Sequence, residues 1–219
     1  PLRWQLGTSL PLGKIIVRRN AVRTSSAEHL SRRCLPDGKR RWVYQRASSS
    51  LMVRTPAGLS VLQDSLYAGF SGGKLVSLGL ANGGLRWEAT VALPKGATEL
   101  ERVTDIVGDP AVVGREVCAA AFQGRIACFD AQSGNQLWAR DMSTVTGASV
   151  DARHAYVSDD RGAVHALDKA TGASAWKQDK LAGRRPGGPQ FVGAYVAVID
   201  AEGGAVALTG FGSFEVRKR

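Results

Sequence analysis

The sequence predicts an all-β protein, an incomplete β-propeller of about four to five blades, each a four-stranded antiparallel sheet. Three observations carry that expectation. A sixteen-residue frame occurs three times, ending at Trp87, Trp138 and Trp176. Within it a glycine stands fourteen residues before each Trp (Gly73, Gly124, Gly162) and another four before (Gly83, Gly134, Gly172). The five tryptophans lie at 4, 42, 87, 138 and 176, and spacings near forty residues are those of propeller blades.

Each part of the frame has a physical reading. Leu75-Val76-Ser77-Leu78, Ile126-Ala127-Cys128-Phe129 and Val164-His165-Ala166-Leu167 are apolar runs of strand length, so each predicts a buried strand. Asp130 and Asp168 then open turns in which a carboxylate accepts hydrogen bonds from amides two and three residues on, and the following glycine supplies positive φ. The chain reverses into a strand bearing the Trp, whose ring is suited to dock on the neighbouring repeat. Further hairpins are expected where Gln63-Asp64-Ser65 precedes Leu66 to Phe70, and where Asp151-Ala152-Arg153 precedes His154 to Val157. Helical periodicity is not sustained anywhere, and a solenoid or sandwich predicts no such Trp register.

The 219 residues can bury a sizeable core, and 26 glycines suit a turn-rich fold. The net charge of +10 invites a nucleic-acid reading, but the charge sits at the ends. Residues 1–46 hold 11 Lys/Arg against 2 acids, residues 47–214 hold 15 against 16, and residues 215–219 hold 3 against 1. The repeat body is therefore close to neutral, and no functional nucleic-acid binding is expected of it. The sequence shows no signal peptide, lipid-attachment cysteine or apolar run long enough to span a membrane, and it starts at Pro1, as a fragment would.

Cys34, Cys118 and Cys128 are an odd count. A three-residue loop at Gln123-Gly124 places Cys118 opposite Cys128, and a two-residue loop puts them on opposite faces. A disulfide, which implies an oxidising compartment, and a pair of small buried hydrophobes are both open.

The ends depart from the frame. Arg33 falls in a slot that is apolar elsewhere, so residues 18–34 are not expected to form a normal strand pair. The expected division is a degenerate or disordered N-terminal blade remnant over 1–36, a partial propeller over 37–204, and a basic tail over 205–219. Leu208 to Arg219, LTGFGSFEVRKR, resembles the strand leading into the DNA-binding arm of the HU/IHF histone-like family. There the arm grips the minor groove, but this chain ends before it. Three terminal cations imply weak, salt-sensitive phosphate attraction and no more.

Candidates for chemistry are sparse. His29, His154 and His165 are isolated, and no Gly-x-Ser-x-Gly or Cys-x-x-Cys occurs. Asp159-Asp160 reads as a solvated turn. No metal site is expected.

The Ala-Leu-Asp-x-x-Thr-Gly-x-x-x-Trp frame resembles the repeats of pyrroloquinoline-quinone-type propellers, shared by quinoprotein dehydrogenases and by scaffolds without activity. Quinone enzymes of this class carry an adjacent cysteine pair that this chain lacks. RWVYQR, YAGFSGGKLVSL, RWEATVALPKGATELERVTDIVGDP, CAAAFQGRIACFD and WKQDKLAGRR together resemble the BamB family, propeller lipoproteins of the outer-membrane β-barrel assembly machinery, over roughly residues 37–204. The resemblance implies a ring of eight blades, of which this chain supplies four or five, leaving exposed edges that lower its stability. It implies a scaffold that is not an enzyme and has no cofactor, held by a lipid anchor missing from this chain at the periplasmic face of the outer membrane. It also implies binding to the polypeptide-transport-associated (POTRA) domains of the central barrel protein. The family's Leu-x-Leu-Arg contact run maps to Phe129-Asp130-Ala131-Gln132, where only the first position keeps its character. The alternatives are a quinoprotein dehydrogenase fragment and, third, weak DNA binding through the tail.

Overall fold

A computed structural model describes the backbone of residues 15–18, 20–26, 29–33, 40–46, 58–192, 195–199, 205–209 and 214–217, and the side chains of 41–46, 58–191 and 195–199. Its described residues form twenty strands in five four-stranded antiparallel sheets, called here blades 1 to 5. Blade 1 holds β1 (Ile15–Arg18), β2 (Asn20–Ser26), β3 (His29–Arg33) and β4 (Arg40–Gln45). Blade 2 holds β5 (Leu59–Leu62), β6 (Ser65–Phe70), β7 (Lys74–Gly79) and β8 (Leu85–Thr90). Blade 3 holds β9 (Ile106–Val113), β10 (Glu116–Ala121), β11 (Arg125–Asp130) and β12 (Gln136–Asp141). Blade 4 holds β13 (Ala148–Val150), β14 (His154–Ser158), β15 (Val164–Asp168) and β16 (Ser174–Gln178). Blade 5 holds β17 (Gln190–Val192), β18 (Tyr195–Ile199), β19 (Ala205–Thr209) and β20 (Phe214–Arg217). In each, the strands lie side by side in chain order, the up-and-down arrangement of propeller blades.

Middle strands are buried because their side chains meet a neighbouring blade on both faces. Leu75 to Leu78 and Ile126 to Phe129 are buried throughout, and the matching run Val164 to Leu167 departs from this only at half-buried His165. Separate apolar clusters fill the gaps between blades. Trp42 joins Leu59, Leu66 and Phe70 between blades 1 and 2, while Tyr67, Leu75 and Val91 meet Val117 and Phe129 between blades 2 and 3. Ile126 and Trp138 meet Val157 and Leu167 between blades 3 and 4, and Tyr156 and Val164 meet Val196 and Val198 between blades 4 and 5. The core is thus a series of wedges, as expected when each unit cannot bury its faces alone.

The fourth strand of blades 1 to 4 carries one shared irregularity. The register slips by one residue just before the Trp, between Arg32/Arg33, Ser77/Leu78, Cys128/Phe129 and Ala166/Leu167. A bulge at this point twists the outer strand and re-aims the side chain beyond it.

Residues 18–34 differ from expectation. Strands β2 and β3 pair, and β3 pairs with β4, Arg32 standing opposite Trp42. A ladder is made by main-chain N–H and C=O groups, so basic side chains do not forbid it, and the shared bulge keeps β4 in the frame's register. Residues 34–39, which include Cys34, lie outside the described residues, as does Trp4. In the tail, Phe214–Arg217 pairs with Ala205–Thr209 as the outer strand of blade 5. Both expected boundaries, 36/37 and 204/205, fall in connections between strands of one sheet. No helix among the described residues is long and apolar enough to cross a membrane.

Candidate functional site

Alternating strand directions give the arc two faces. One carries the turns that follow β5, β7, β9, β11, β13 and β15. The opposite face carries the turns after β6, β10 and β14 and the connections between blades.

The first face is built by a repeated lock. Asp130 begins the turn after β11; its Oδ1 accepts from the amides of Gln132 (3.1 Å) and Ser133 (2.8 Å) and from the Ser133 hydroxyl (2.9 Å). Those Ser133 bonds hold the Asp130 carboxyl below the usual carboxylate range. Asp168 does the same with Ala170 and Thr171 (3.1 and 2.9 Å) and with the Thr171 hydroxyl, and its carboxyl is likewise lowered. The turn then reaches a glycine at positive φ: Gly83 (71°), Gly134 (75°) and Gly172 (72°).

On each of those glycines lies the indole of the preceding blade. A Cβ on Gly83 would sit 2.6 Å from the Trp42 ring, one on Gly134 2.6 Å from Trp87, and one on Gly172 2.5 Å from Trp138. Each indole N–H donates to a carbonyl of the same turn: Trp42 to Leu80 (3.0 Å), Trp87 to Ala131 (3.1 Å) and Trp138 to Lys169 (2.6 Å). The three rings thus share one environment. Trp176 lies 6.0 Å from the Tyr156 ring, and the turn near residue 210 that would receive it is outside the described residues.

Of the run Phe129-Asp130-Ala131-Gln132, the structure presents only part. Phe129 is 2% exposed and belongs to the core between blades 2 and 3; it is corrected from a contact residue to a packing residue, because its strand position faces the neighbouring blade. Ala131 is also buried, and its main chain is spent holding the turn, its N–H on Arg115 (2.8 Å) and its carbonyl on two side-chain donors. Gln132 is exposed, and its side-chain amide makes no hydrogen bond to a described residue. Ser133, Asn135 and Gln136 are exposed beside it.

Cys118 and Cys128 stand directly opposite across a three-residue turn, residues 122–124, and form a disulfide. Both are buried in the cluster shared by blades 3 and 4. Of the two loop lengths open from the sequence, the longer is the one present.

The opposite face holds the connection over residues 91–105, including the segment from Gly96 to Asp105. Residues 93–102 are all exposed, Leu100 at 71%. Their backbone is nonetheless tied down: the Glu101 carboxylate accepts from the Ala97 and Thr98 amides (2.8 and 3.1 Å), and Thr98 Oγ1 accepts from the Glu101 amide (3.2 Å). Buried Asp105 accepts from the Gly72 amide (3.1 Å). On the same face a cleft of about 650 Å³ between blades 3 and 4 holds Arg140, Asp159, His165, Lys177 and Asp179. His165 Nε2 lies 2.9 Å from Asp159 Oδ2, while Asp159 Oδ1 accepts from the Arg161 and Ala163 amides (3.0 and 2.8 Å). His165 is therefore a partnered packing residue, and Asp159 shapes the turn. Along the inner side of the arc, β5, β9, β13 and β17 line a groove of about 670 Å³. Among the described residues no cluster of His, Cys, Asp and Glu is arranged to hold a metal.

The sequence reading missed Tyr67, whose hydroxyl donates to the Ala131 carbonyl (3.0 Å) across 64 positions of sequence. A tyrosine at the centre of an otherwise apolar strand was the signal, since a buried phenol needs an acceptor.

Comparison with known proteins agrees with the geometry. The family profile of outer membrane protein assembly factor BamB matches residues 2–178. BamB of Bordetella pertussis is 42% identical over 76% of this chain and 44% of its own, and BamB of Nitrosomonas eutropha is 45% identical over 78% and 42%. This chain therefore spans less than half the length of those curated relatives. The crystal structure of BamB from Moraxella catarrhalis superposes with a TM-score of 0.85 at 25% identity, over 93% of this chain and 62% of that one. A europium-containing methanol dehydrogenase superposes at 0.74 with 15% identity over 94% of this chain and 50% of that one, a likeness of fold alone. With a family profile matching most of its length and a propeller arc like that of a solved relative, the chain belongs to the BamB family of outer membrane protein assembly factors.

Proposed function

We propose that this chain is part of a scaffold, without catalytic activity of its own, that assists assembly of β-barrel proteins into the bacterial outer membrane. It works at the periplasmic face of that membrane, and the parent protein is lipid-anchored. Its contact is with the periplasmic domains of the central barrel subunit, through the face of the Trp-locked turns and centred on Gln132. The observation that carries this reading is the turn from Asp130 to Gly134 in a BamB-family blade: its backbone is fixed from both sides while Gln132 stays exposed. A rigid turn presenting a free amide suits protein recognition, because little ordering entropy is lost on binding.

The test is retention of the barrel protein's purified periplasmic domains by the immobilised 219-residue chain. Binding at micromolar concentration that weakens in Gln132→Ala supports the reading. No retention, or retention indifferent to Gln132→Ala and to Gln132→Arg, overturns it.

A further inference from the structure

Two donors from blade 2 converge on one acceptor in blade 3. Trp87 Nε1 and the Tyr67 hydroxyl lie 3.1 and 3.0 Å from the Ala131 carbonyl oxygen, the residue just before Gln132. Their rings are 5.9 Å apart and tilted by 44°, so one contact fixes both. Tyr67 is 3% exposed; its hydroxyl has no water to fall back on, and losing the acceptor would leave a buried donor unpaired.

The arrangement is not part of the blade grammar. By register, Tyr67 faces Ser77, which faces Trp87. The corresponding position is Cys118 in blade 3, taken up by its disulfide, and Tyr156 in blade 4. Tyr156 sends its hydroxyl to Asp151 within its own blade (2.8 Å). In blade 4 the Lys169 carbonyl takes the Trp138 indole with no second side-chain donor among the described residues. The blade 4 turn is also held twice from its neighbour, but at two separate carbonyls, Lys169 by Trp138 and Gly172 by Arg140 Nη1 (3.1 Å); in blade 3 both donors meet on the single carbonyl next to Gln132.

We infer that Tyr67 is a positioning residue for partner recognition: with Trp87 it fixes the Ala131 carbonyl, and so the outward orientation of Gln132, from the adjacent blade. This rests on the proposed contact at Gln132. The partner-binding surface is then a two-blade device, in which blade 3 supplies the contact and blade 2 its aim.

The experiment compares Tyr67→Phe, Tyr156→Phe and the unaltered 219-residue chain. Tyr156→Phe removes the same hydroxyl from the equivalent slot of blade 4 and reports the purely structural cost. Two readouts are taken, amide hydrogen exchange and affinity for the barrel protein's periplasmic domains. Tyr67→Phe is expected to speed exchange at residues 130–135 and to weaken binding about fivefold, the worth of one net hydrogen bond, while Tyr156→Phe changes neither. Unaltered exchange at residues 130–135 in Tyr67→Phe overturns the inference whatever the binding result. Faster exchange with undiminished binding overturns its role in recognition. Faster exchange with no binding by any chain, the unaltered one included, overturns the contact at Gln132, and the recognition role with it, while the fixing of the turn by Tyr67 stands.

Discussion

The indole of Trp138 lies on Gly172, so close that a Cβ on the glycine would stand 2.5 Å from the ring. The same relationship joins Trp87 to Gly134 and Trp42 to Gly83. Each of these glycines answers two demands at once, a left-handed backbone and an empty space for the neighbouring ring. Gly114 answers only the first, with φ 63° and open space for 4 Å around the point where a Cβ would stand. Gly114→Ala is therefore expected to cost about 1 kcal/mol, the left-handed strain alone. Gly172→Ala and Gly134→Ala are expected to cost about 3 kcal/mol, strain plus a displaced indole. Urea unfolding of the three variants measures the difference, and equal losses would refute the lock.

Truncating the ring should cost at least as much. Trp138→Ala opens a cavity between blades 3 and 4 and orphans the Lys169 carbonyl, for an expected loss of about 3–5 kcal/mol. Trp138→Phe keeps part of the packing and loses the N–H bond at 2.6 Å, for about 1–2 kcal/mol. Trp42→Ala should behave like Trp138→Ala, because Trp42 is equally buried and locked on blade 2. Fluorescence-monitored denaturation ranks the three.

The repeat was legible because its constraints are local. Asp130 and its turn amides lie within three residues, and Gly134 and Trp138 within one hairpin, so spacing alone exposes them. The partner of each glycine was not. Trp87 meets Gly134 across 47 positions, and nothing in a sixteen-residue frame says that the ring filling that space comes from the previous blade. Tyr67 reaches Ala131 across 64. For the same reason Phe129 enters as a contact, through the run that the family resemblance implies, and only the neighbouring blade reveals that its side chain points inward. The basic stretch over residues 18–34 misled in the other direction, since side-chain character does not veto a ladder that the backbone makes.

The disulfide makes a prediction of its own. Cys118 and Cys128 close a loop with a sequence separation of 10, which the chain-entropy estimate translates into about 2–3 kcal/mol of stability. Cys118→Ala paired with Cys128→Ala should lower stability by that amount, and reductant should lower the unaltered chain's stability equally without affecting the double variant. Thiol counting by mass spectrometry after alkylation under denaturing, non-reducing conditions should find Cys34 modified and the other two protected. Three modified thiols would contradict the pairing.

Acid sensitivity follows from the turn carboxylates. Asp130 and Asp168 are held below the ordinary Asp value of 3.8 by the amides and hydroxyls of their own turns, Asp130 by Ser133 first and Asp168 by Thr171 first. Asp151 is lowered as well, its hydrogen bonds from the His154 and Arg153 amides outweighing the opposing effect of burial. Each binds protons more readily unfolded than folded, so its contribution is complete above the unfolded value and is lost as pH falls through the lower folded one. Stability should hold level down to about pH 5 and fall progressively below about pH 4. Asp168→Asn, which keeps an acceptor in the turn and loses the titrating group, should be less stable at neutral pH and show a shallower acid limb. Urea midpoints measured from pH 7 to pH 3 check both, and parallel acid limbs would remove Asp168 from the account. The consequence reaches beyond stability, because Asp130 orders the very turn that presents Gln132: the partner contact proposed there should weaken over the same acid range, before the blades themselves unfold.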